Sequence, residues 1–383
     1  MIYLDNAATT PLDPRVLDAM LPWLRQQFGN PASEHGPGRL ARAVVEQARA
    51  QVAGLIGAEP QEIIWTSGAT ESNNLAIKGA LEFRGIRGGH VVTSRIEHKS
   101  VLDTCRWLET QGTRVTYLKP DRHGHISPEQ VLTALTPATA LVSLMWVNNE
   151  IGTINPVEAL APQLRERGIL FHVDAVQAAG KLSMDLSSTP VDLLSLSAHK
   201  VYGPKGVGAL FVRKRPRARL APQIHGGGHE QGMRSGTLAS PQIVGMGEAF
   251  RLAAQELAPD ARRLRGLRDD LWQRLQRLPK VVLNSDPEHG VTHILNVSFE
   301  GAEGESLRAL LGGLAVSSGS ACSSATREPS FVLRALGRDD ELAGSSLRFS
   351  LGRFTTQAEI TEAADRVIAA VKRLRALSPL WVA

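Results

Sequence analysis

Short apolar runs alternate with helical patterns over the first two thirds of the chain, and this alternation constrains the fold more than any other feature. Seven of the runs are predicted to be strands, at 62–67, 90–94, 114–118, 140–147, 169–175, 192–197 and 208–213. Helical stretches lie between several of them, at 72–83, 100–110, 128–135 and 156–167. The alternation predicts an α/β fold with a mostly parallel seven-stranded sheet and helices on both faces. Ligands of such sheets bind at the carboxyl ends of the strands.

The last third of the chain has a different pattern. A long charged helical stretch over 242–278 contains Pro259, which is expected to kink or break the helix. Three strand patterns and two helical patterns follow, at 293–299, 314–319 and 346–352, and from residues 305 and 358. This part is predicted to be a smaller α+β domain that begins near residue 255.

The composition is that of a folded globular protein. Apolar residues make up 43% and charged residues 21% of the 383 residues, which excludes disorder over most of the chain. The two cysteines, Cys105 and Cys322, are too few for a secreted disulfide scaffold or for a paired-cysteine metal site. The net charge of +5 is a small excess. The basic run at 213–219 has no interleaved aromatic residues, so it is predicted to be a solvated turn and no direct nucleic-acid binding is expected.

No segment of the sequence predicts secretion or a membrane span. The first ten residues contain neither a basic nor an apolar signal region. The uncharged segment 130–149 is interrupted by polar residues, and its apolar core is shorter than the about 20 residues that a span needs. The expected compartment is therefore the cytoplasm.

Polar groups follow two neighbouring strand patterns. Asp174 and Gln177 come at the end of one apolar run, and Lys200 follows the next run, with Ser197 and His199 beside it. Burial at a strand end can lower the pKa of a lysine and leave its amine free to act as a nucleophile. A lysine that only caps the strand explains the same position equally well. The aspartate favours a pyridoxal phosphate site, where a lysine forms the Schiff base and a carboxylate partners the pyridinium nitrogen.

The segment TSGATESNN leaves a strand pattern and opens a helical one. The backbone N–H of Ala69 and the hydroxyl of Thr70 would then point at an anion, with the helix dipole assisting. An ordinary N-cap at Ser67 or Thr70, with Glu71 in the first turn, is the alternative explanation.

The run SSGSACSSAT around Cys322 contains no side chain large enough to anchor a core. A reactive thiol must be accessible, so Cys322 is the candidate nucleophile and a mobile loop is expected at about 317–328. A plain small-residue turn is the alternative. Cys105 lies in a helical pattern and is predicted to be a small buried residue.

Other polar residues have weaker signals. His98 follows a strand and could supply a basic or aromatic partner, although a lone histidine is more often structural. Arg348 or Arg353 could clamp a carboxylate, and solvated strand-edge arginines are the alternative. His225 and His229 stand four apart, but the three glycines between them argue against a helical metal site. No metal is therefore predicted, and this run is expected to form a tight loop near a ligand or a neighbouring subunit.

Taken together, these motifs resemble the NifS/IscS-type, or group I, cysteine desulfurases. The resemblance extends from residue 3 to about residue 379, through YLDNAATTP, FGNPAS, TSGATESNN, EHKSVLD, VNNEIG, HVDAVQ, SAHKVYGPKG, HGGGHEQGMRSGT, SSGSAC and SLRFSLGRFTT. It implies a fold-type I pyridoxal phosphate transferase that forms a homodimer. The large domain would span 14–255, and 1–13 together with 256–383 would form the small domain.

The resemblance also implies a role for each site residue. Lys200 resembles the Schiff-base lysine, Cys322 the persulfide-forming cysteine and His98 the histidine that stacks on the cofactor and moves protons. Asp174 resembles the partner of the pyridinium nitrogen, and Gln177 the donor to the phenolic oxygen. The remaining expected contacts are Ala69, Thr70, Asn149, Ser197 and His199 to the cofactor, Thr237 to its phosphate from the other subunit, and Arg348 with Asn30 to the substrate carboxylate.

The implied activity converts L-cysteine to L-alanine and leaves a persulfide on Cys322. Its sulfur would supply iron-sulfur cluster assembly and tRNA thiolation. The sequence ends at SPLWVA, without the tail with which members of the group hold the scaffold protein, so the acceptor is left open. The alternatives are a selenocysteine lyase, another lyase or aminotransferase of the same fold, and a catalytically idle sulfur-relay or scaffold protein. The cysteine loop argues against an aminotransferase, and the intact set of Lys200, Asp174 and Cys322 argues against an idle protein.

Overall fold

Three sheets organise the fold. The structure is a computed structural model that describes residues 1–85, 88–318, 328–378 and 381. The strands of this part are β1 (Ile2–Tyr3), β2 (Ile63–Thr66), β3 (His90–Ser94), β4 (Arg114–Leu118), β5 (Thr139–Met145), β6 (Leu170–Asp174), β7 (Leu193–Ser197), β8 (Gly208–Val212), β9 (Val281–Leu283), β10 (Ile294–Phe299), β11 (Leu314–Ala315) and β12 (Ser346–Ser350).

Helices surround the sheets and connect their strands. They are α1 (Pro14–Arg25), α2 (Gly36–Ile56), α3 (Ala69–Phe83), α4 (Lys99–Thr110), α5 (Pro128–Ala134), α6 (Val157–Glu166), α7 (Ser240–Leu275), α8 (Gly304–Leu310), α9 (Phe331–Ala335), α10 (Asp340–Gly344) and α11 (Gln357–Leu377). Single 3₁₀ turns occur at Pro60–Glu62, Ala198–Lys200 and Glu230–Gly232.

The large sheet has seven strands in the spatial order β2-β8-β7-β6-β5-β3-β4. Only β8 runs antiparallel to its neighbours. Strands β2, β3, β5, β7 and β8 are buried along their whole length, because helices cover both faces of the sheet. All seven strands and the α/β class are therefore confirmed, with strand ends shifted by at most two residues.

The long helix α7 is not broken at its internal proline. Pro259 was expected to kink or break the helical stretch, and the break does not occur, because α7 continues through it as one helix. A proline in a helix deprives the carbonyl four residues earlier of its N–H donor. That carbonyl belongs to Gln255, and both Gln255 and Pro259 are exposed, so water can take the place of the missing donor.

The C-terminal third builds a second apolar core that also contains the start of the chain. Ile2 and Leu4 are buried there with side chains of α7, α8, α11, β10 and β12. The strand β1 pairs in parallel with β11, and β12, β10 and β9 form an antiparallel sheet. In the described part of the 314–319 pattern, β11 covers two residues. The division into domains at residues 13 and 255 remains a prediction, and α7 crosses the second of these positions.

The basic run after β8 is a turn, as predicted, but its first member is structural. Arg213 is 9% exposed, and its guanidinium donates to the carbonyls of Val191, Leu186 and Thr189. Cys105 is fully buried, and burial together with the nearby Glu97 raises the pKa of its thiol to about 12. No helix in the part of the chain described is both long and apolar enough to cross a membrane.

Candidate active site

A cavity of about 600 Å³ lies at the carboxyl ends of the central parallel strands. Met145, Asp174 and Ser197 close the strands β5, β6 and β7, and all three line the cavity. Parallel strands carry their carboxyl ends to one edge of the sheet, which is why residues far apart in sequence meet there. The N-terminal segment, the start of α3 and residues of the loop before β8 complete the walls.

A buried carboxylate, Asp174, stands at one end of the cavity. It is 5% exposed. Asn73 Nδ2 donates to its Oδ2 at 2.9 Å, and the backbone N–H of Val176 donates to its Oδ1 at 3.1 Å. Asn73 Nδ2 also donates to Ser100 Oγ at 2.8 Å. The carboxylate is therefore held in one orientation by α3 and by the turn that follows β6.

The candidate nucleophilic amine lies on the turn after β7. Lys200 Nζ donates to the carbonyls of Ala7 and Ala8 at 2.7 Å and 2.5 Å. Gln177 Nε2 donates to the same Ala7 carbonyl at 2.9 Å. The N-terminal segment thus positions the lysine, although 193 residues separate Ala7 from Lys200.

His199 lies beside this lysine with its ring turned to the N-terminal segment. Its Nδ1 lies 3.1 Å from Thr9 Oγ1. Burial, together with the positive charges of Lys200 and Lys205, lowers the pKa of His199 to about 4. At neutral pH the ring is therefore uncharged and acts as a hydrogen-bonding group only.

The start of α3 meets the cavity without a side-chain cap. Gly68 is the N-cap residue, with φ at +155°, and no side chain accepts a capping hydrogen bond from the first turn. Neither Ser67 nor Thr70 therefore caps the helix, and Glu71 accepts the N–H of Ser67 at 2.8 Å and pairs with Arg234 at 2.8 Å. The N–H groups of an uncapped first turn attract an anion, and Ala69 and Thr70 line the cavity.

His98 is the N-cap residue of α4 and lies on the cavity wall. The backbone N–H of Ser100 donates to its Nδ1 at 3.1 Å, and Ser100 Oγ lies 2.8 Å from the same nitrogen. In a neutral imidazole whose Nδ1 accepts a hydrogen bond, the proton is carried by Nε2. Ser100 therefore sets the tautomer of His98.

Arg348 and Arg353 are distinguished by their surroundings. Arg348 is 1% exposed and lines the cavity, with Nη1 donating to the Asn149 carbonyl at 2.7 Å and Nη2 to Asp5 Oδ1 at 2.8 Å. Its Nε is buried and has no hydrogen-bond partner within the described ranges. Arg353 pairs with Asp13, Glu256 and Asp260, and it does not line the cavity.

Most of the predicted site residues line this one cavity. They are Ala69, Thr70, His98, Asn149, Asp174, Gln177, Ser197, His199, Lys200 and Arg348. Thr237 and Asn30 are exposed and do not line it, and Asn30 Oδ1 instead accepts the N–H of Ala32 at 2.9 Å. Cys322 and the greater part of its expected loop lie outside the described residues.

Sequence reasoning missed the residues that hold these groups in place. The carbonyls of Ala7 and Ala8, the carboxylate of Asp5 and the side chains of Asn73 and Ser100 all act by contact across the fold. Of these residues, only Asn73 could have been found from the local sequence. It follows the predicted cofactor contact Ala69 by four residues and so lies on the same side of α3. The carbonyls cannot be recognised in a sequence, since every residue has one.

The fold and cavity define an α/β enzyme with a lysine, a carboxylate and an anion-binding helix start around one ligand. The chain belongs to the class-V aminotransferase family, which matches residues 2–362. It is 58% identical over 99% of its length to a protein of Stutzerimonas stutzeri (strain A1501) named cysteine desulfurase IscS, of which it covers 95%. The protein of the same name from Escherichia coli O139:H28 is 57% identical with the same coverage.

Solved structures show the same fold. A NifS-like protein superposes with a TM-score of 0.91 at 38% identity, covering 97% of this chain and 99% of that one. The structure of SspA in complex with cysteine gives a TM-score of 0.82 at 39% identity, covering 93% of this chain and 100% of that one.

The cofactor of this family, pyridoxal phosphate, fits the groups around the cavity. The uncapped start of α3 suits the phosphate, and the buried carboxylate of Asp174 suits a protonated ring nitrogen. Gly208 lets the backbone of β8 lie close to the start of α3, where the phosphate would bind. A Cβ atom there would lie 2.6 Å from the Leu196 carbonyl oxygen and 2.7 Å from Gly68 Cα.

Proposed function

We propose that this chain is a pyridoxal phosphate-dependent cysteine desulfurase, with the residue roles set out below. The observation that carries the proposal is that Lys200, Asp174 and Arg348 line one cavity beside an uncapped helix start. An amine, a carboxylate for the ring nitrogen and a guanidinium for the substrate carboxylate are the groups that cysteine chemistry on this cofactor needs. The names of the relatives support the same activity.

The protein groups divide the binding of the cofactor between them. Lys200 supplies the amine that attaches it, and the start of α3, with Ser197 and His199, holds the phosphate. Asp174 keeps a proton on the ring nitrogen, because a buried carboxylate favours a neighbouring positive charge. When bound, pyridoxal phosphate supplies an electron sink for the charge formed as the substrate Cα loses its proton.

Substrate binding depends on Arg348 and its neighbours. The guanidinium is already oriented by the Asn149 carbonyl and by Asp5, so little conformational entropy is lost when a carboxylate binds. Lys200 and His98 are the groups that move protons, Lys200 at the substrate Cα and His98 as a donor from its protonated Nε2.

The sulfur step needs a thiolate on the protein. The sulfur of Cys322 attacks the substrate sulfur, so that a sulfur–sulfur bond forms while the carbon–sulfur bond of the substrate breaks. The two electrons of the broken bond stay on carbon, which takes up a proton and leaves as alanine. The products are L-alanine and a persulfide on Cys322, from which a thiol acceptor takes the sulfur.

Two variants test this division of labour. Cys322→Ala is expected to keep the visible absorption of the bound cofactor and to bind cysteine, yet to release neither alanine nor sulfide. Lys200→Ala is expected to lose the covalent attachment, measured by mass spectrometry after borohydride reduction. Normal turnover by Cys322→Ala would show that the nucleophile is misassigned, and an unchanged attachment in Lys200→Ala would show that another lysine holds the cofactor.

Several further statements belong to this proposal. The protein is proposed to be a cytoplasmic homodimer, in which the exposed Thr237 reaches the phosphate of the partner, and its two domains meet at the proposed boundaries. The sulfur acceptor is proposed to be an iron-sulfur scaffold protein or a tRNA thiolation enzyme.

Light scattering tests the dimer, and mixing Lys200→Ala with Thr237→Ala tests whether the sites are shared. A monomer, or no recovery of activity on mixing, would contradict these statements.

A further inference from the structure

Three metal-ligating side chains meet outside the active-site cavity. His125 precedes α5, and Asp286 and His289 lie in the segment between β9 and β10. One ligand atom from each, two imidazole nitrogens and a carboxylate oxygen, all lie within 4.8 Å of one another. The pattern of the sequence could not reveal this group, because 161 residues separate His125 from Asp286.

Two of the three distances between the ligand atoms are close to those of a tetrahedral metal site, and the third, between the two imidazoles, is at most 4.8 Å. His125 Nε2 lies 2.8 Å from Asp286 Oδ2, and His289 Nδ1 lies 3.5 Å from the same oxygen. Around an ion with bonds of about 2.0–2.2 Å, tetrahedral ligand atoms lie roughly 3.3 Å apart. The two distances to Asp286 therefore need to change by only a few tenths of an ångström.

The carboxylate of Asp286 is held with one oxygen toward the histidines. The backbone N–H groups of Glu288 and His289 both donate to Oδ1 at 2.8 Å. This leaves Oδ2 as the oxygen shared by the two imidazoles.

The group is accessible on one side and fixed on the other. The side chain of His289 is 70% exposed and that of His125 is 26% exposed, whereas that of Asp286 is 9% exposed. An ion can therefore enter from solvent and retain a water molecule. A cavity of about 640 Å³, lined by both histidines, opens beside them.

The position of the group gives an ion a structural task. The His289 carbonyl accepts the N–H of Ile154 at 3.4 Å, and the N–H of Val291 donates to the Gly152 carbonyl at 2.9 Å. These two bonds attach the β9–β10 segment to the loop after β5. A metal bridge from His125 would attach it also to the segment between β4 and α5.

We propose that His125, Asp286 and His289 form a binding site for a divalent transition-metal ion of the zinc type, with water as the fourth ligand. Two imidazoles and one carboxylate suit Zn²⁺ and its first-row neighbours, whereas Mg²⁺ and Ca²⁺ prefer oxygen ligands only. The ion links the β9–β10 segment to the β4–α5 segment and stabilises the folded chain. It takes no part in the desulfurase reaction, so the inference is independent of the proposed function.

The test is a metal titration of the full chain with its cofactor bound. The Cys322→Ala background is used throughout, because a free thiol also binds Zn²⁺. Zn²⁺ is titrated by calorimetry after treatment with a chelator, and Co²⁺ is added separately because its visible absorption reports tetrahedral coordination. His289→Ala and Asp286→Asn remove ligands, and His123→Ala is the matched control because it removes a nearby histidine outside the group.

We expect one Zn²⁺ per chain, a tetrahedral Co²⁺ spectrum and a rise in Tm when Zn²⁺ is present. His289→Ala should weaken Zn²⁺ binding by more than the roughly 10–100-fold that loss of an outer-shell partner costs, while His123→Ala binds as the parent does. His289 is exposed, so its replacement should leave the fold intact by circular dichroism. No saturable binding, or equal affinity in His289→Ala and the parent, would overturn the proposal. Binding without a rise in Tm would overturn the structural role.

Discussion

Arg348 shows how strongly a single side chain can depend on distant parts of the chain. Its guanidinium is buried among groups that come from the N-terminal segment and from the turn after β5, and 343 residues separate it from Asp5. A buried charge is stable only when it is paired and hydrogen-bonded. Asp5 and the Asn149 carbonyl meet this need, so the arginine stays fixed at the cavity wall before substrate arrives.

Replacement of Arg348 should therefore weaken substrate binding. In Arg348→Ala we expect KM for cysteine to rise by about 10–100-fold, because a charge-assisted hydrogen bond to a buried group contributes about 1.5–3 kcal/mol. Steady-state alanine formation measures this. Arg353→Ala is the control, since Arg353 is also buried and paired with carboxylates but lies outside the cavity. It should lower Tm and leave KM unchanged. If KM rises only in Arg353→Ala, the substrate clamp has been assigned to the wrong arginine.

At the scale of secondary-structure elements, the phosphate end of the site depends on how closely α3 approaches β8. The first turn of α3 follows Gly68, and Gly208 at the start of β8 faces it without a side chain. The missing side chain at Gly208 lets the two backbones come into contact, which positions the uncapped N–H groups over the sheet edge. The orientation of the start of α3 therefore depends on how α3 and β8 pack against each other.

A methyl group at Gly208 should disturb this approach. In Gly208→Ala the added Cβ would lie 2.7 Å from Gly68 Cα, so the start of α3 must shift, at a typical overpacking cost of about 1–3 kcal/mol. We expect weaker retention of pyridoxal phosphate, measured by the visible absorption that remains after gel filtration.

Gly54→Ala is the matched control for this substitution. Gly54 lies in α2, with no atom within 4 Å of an added Cβ, and alanine there should stabilise the helix by about 0.5–1 kcal/mol. Equal cofactor retention in the two variants would show that the close approach of α3 and β8 is not needed.

At the scale of the whole molecule, burial of histidines makes stability depend on pH. His172 in β6 is completely buried between Ser143 Oγ at 2.8 Å and Ser195 Oγ at 3.0 Å. Burial lowers its pKa to about 3. His293 is 1% exposed, and burial together with the charges of Lys181 and Arg268 lowers its pKa as well. Both rings are neutral in the folded chain.

The protein should therefore lose stability as the pH falls below about 6.5. The unfolded chain takes up a proton on His172 near pH 6.5 and the folded chain only near pH 3, so protonation favours the unfolded state between these values. At pH 5 the loss from His172 is about 2 kcal/mol in the free energy of unfolding. Urea unfolding at pH 7 and pH 5, with cofactor present, measures it.

A variant that lacks only His172 isolates this contribution. His172→Gln should be less stable at pH 7, because it disturbs two buried hydrogen bonds, yet its difference in stability between pH 7 and pH 5 should be smaller by about 2 kcal/mol. His225→Gln, at an exposed position, should leave the difference unchanged. An unaltered pH dependence in His172→Gln would mean that other groups are responsible.

The sequence by itself determined the strands of the large sheet and the residues at their ends. The seven strands were predictable because a strand buried on both faces must be a short apolar run, and the helices between them because an amphipathic period is local. Asp174, Ser197 and Lys200 were predictable for the same reason, since each stands where an apolar run ends. Their meeting followed from the parallel order of the strands.

Only the tertiary structure decided what those residues contact. The Ala7 carbonyl on Lys200 and Gln177, and Asp5 on Arg348, are contacts between residues more than 160 positions apart. The residues that make these contacts have no distinctive pattern in the local sequence, and neither do His125, Asp286 and His289. Pro259 shows the opposite. The local sequence predicted a break there, but the helix continues because the exposed backbone carbonyl can bond to water. Local patterns specify which elements form, whereas packing over long distances selects the partners of each polar group.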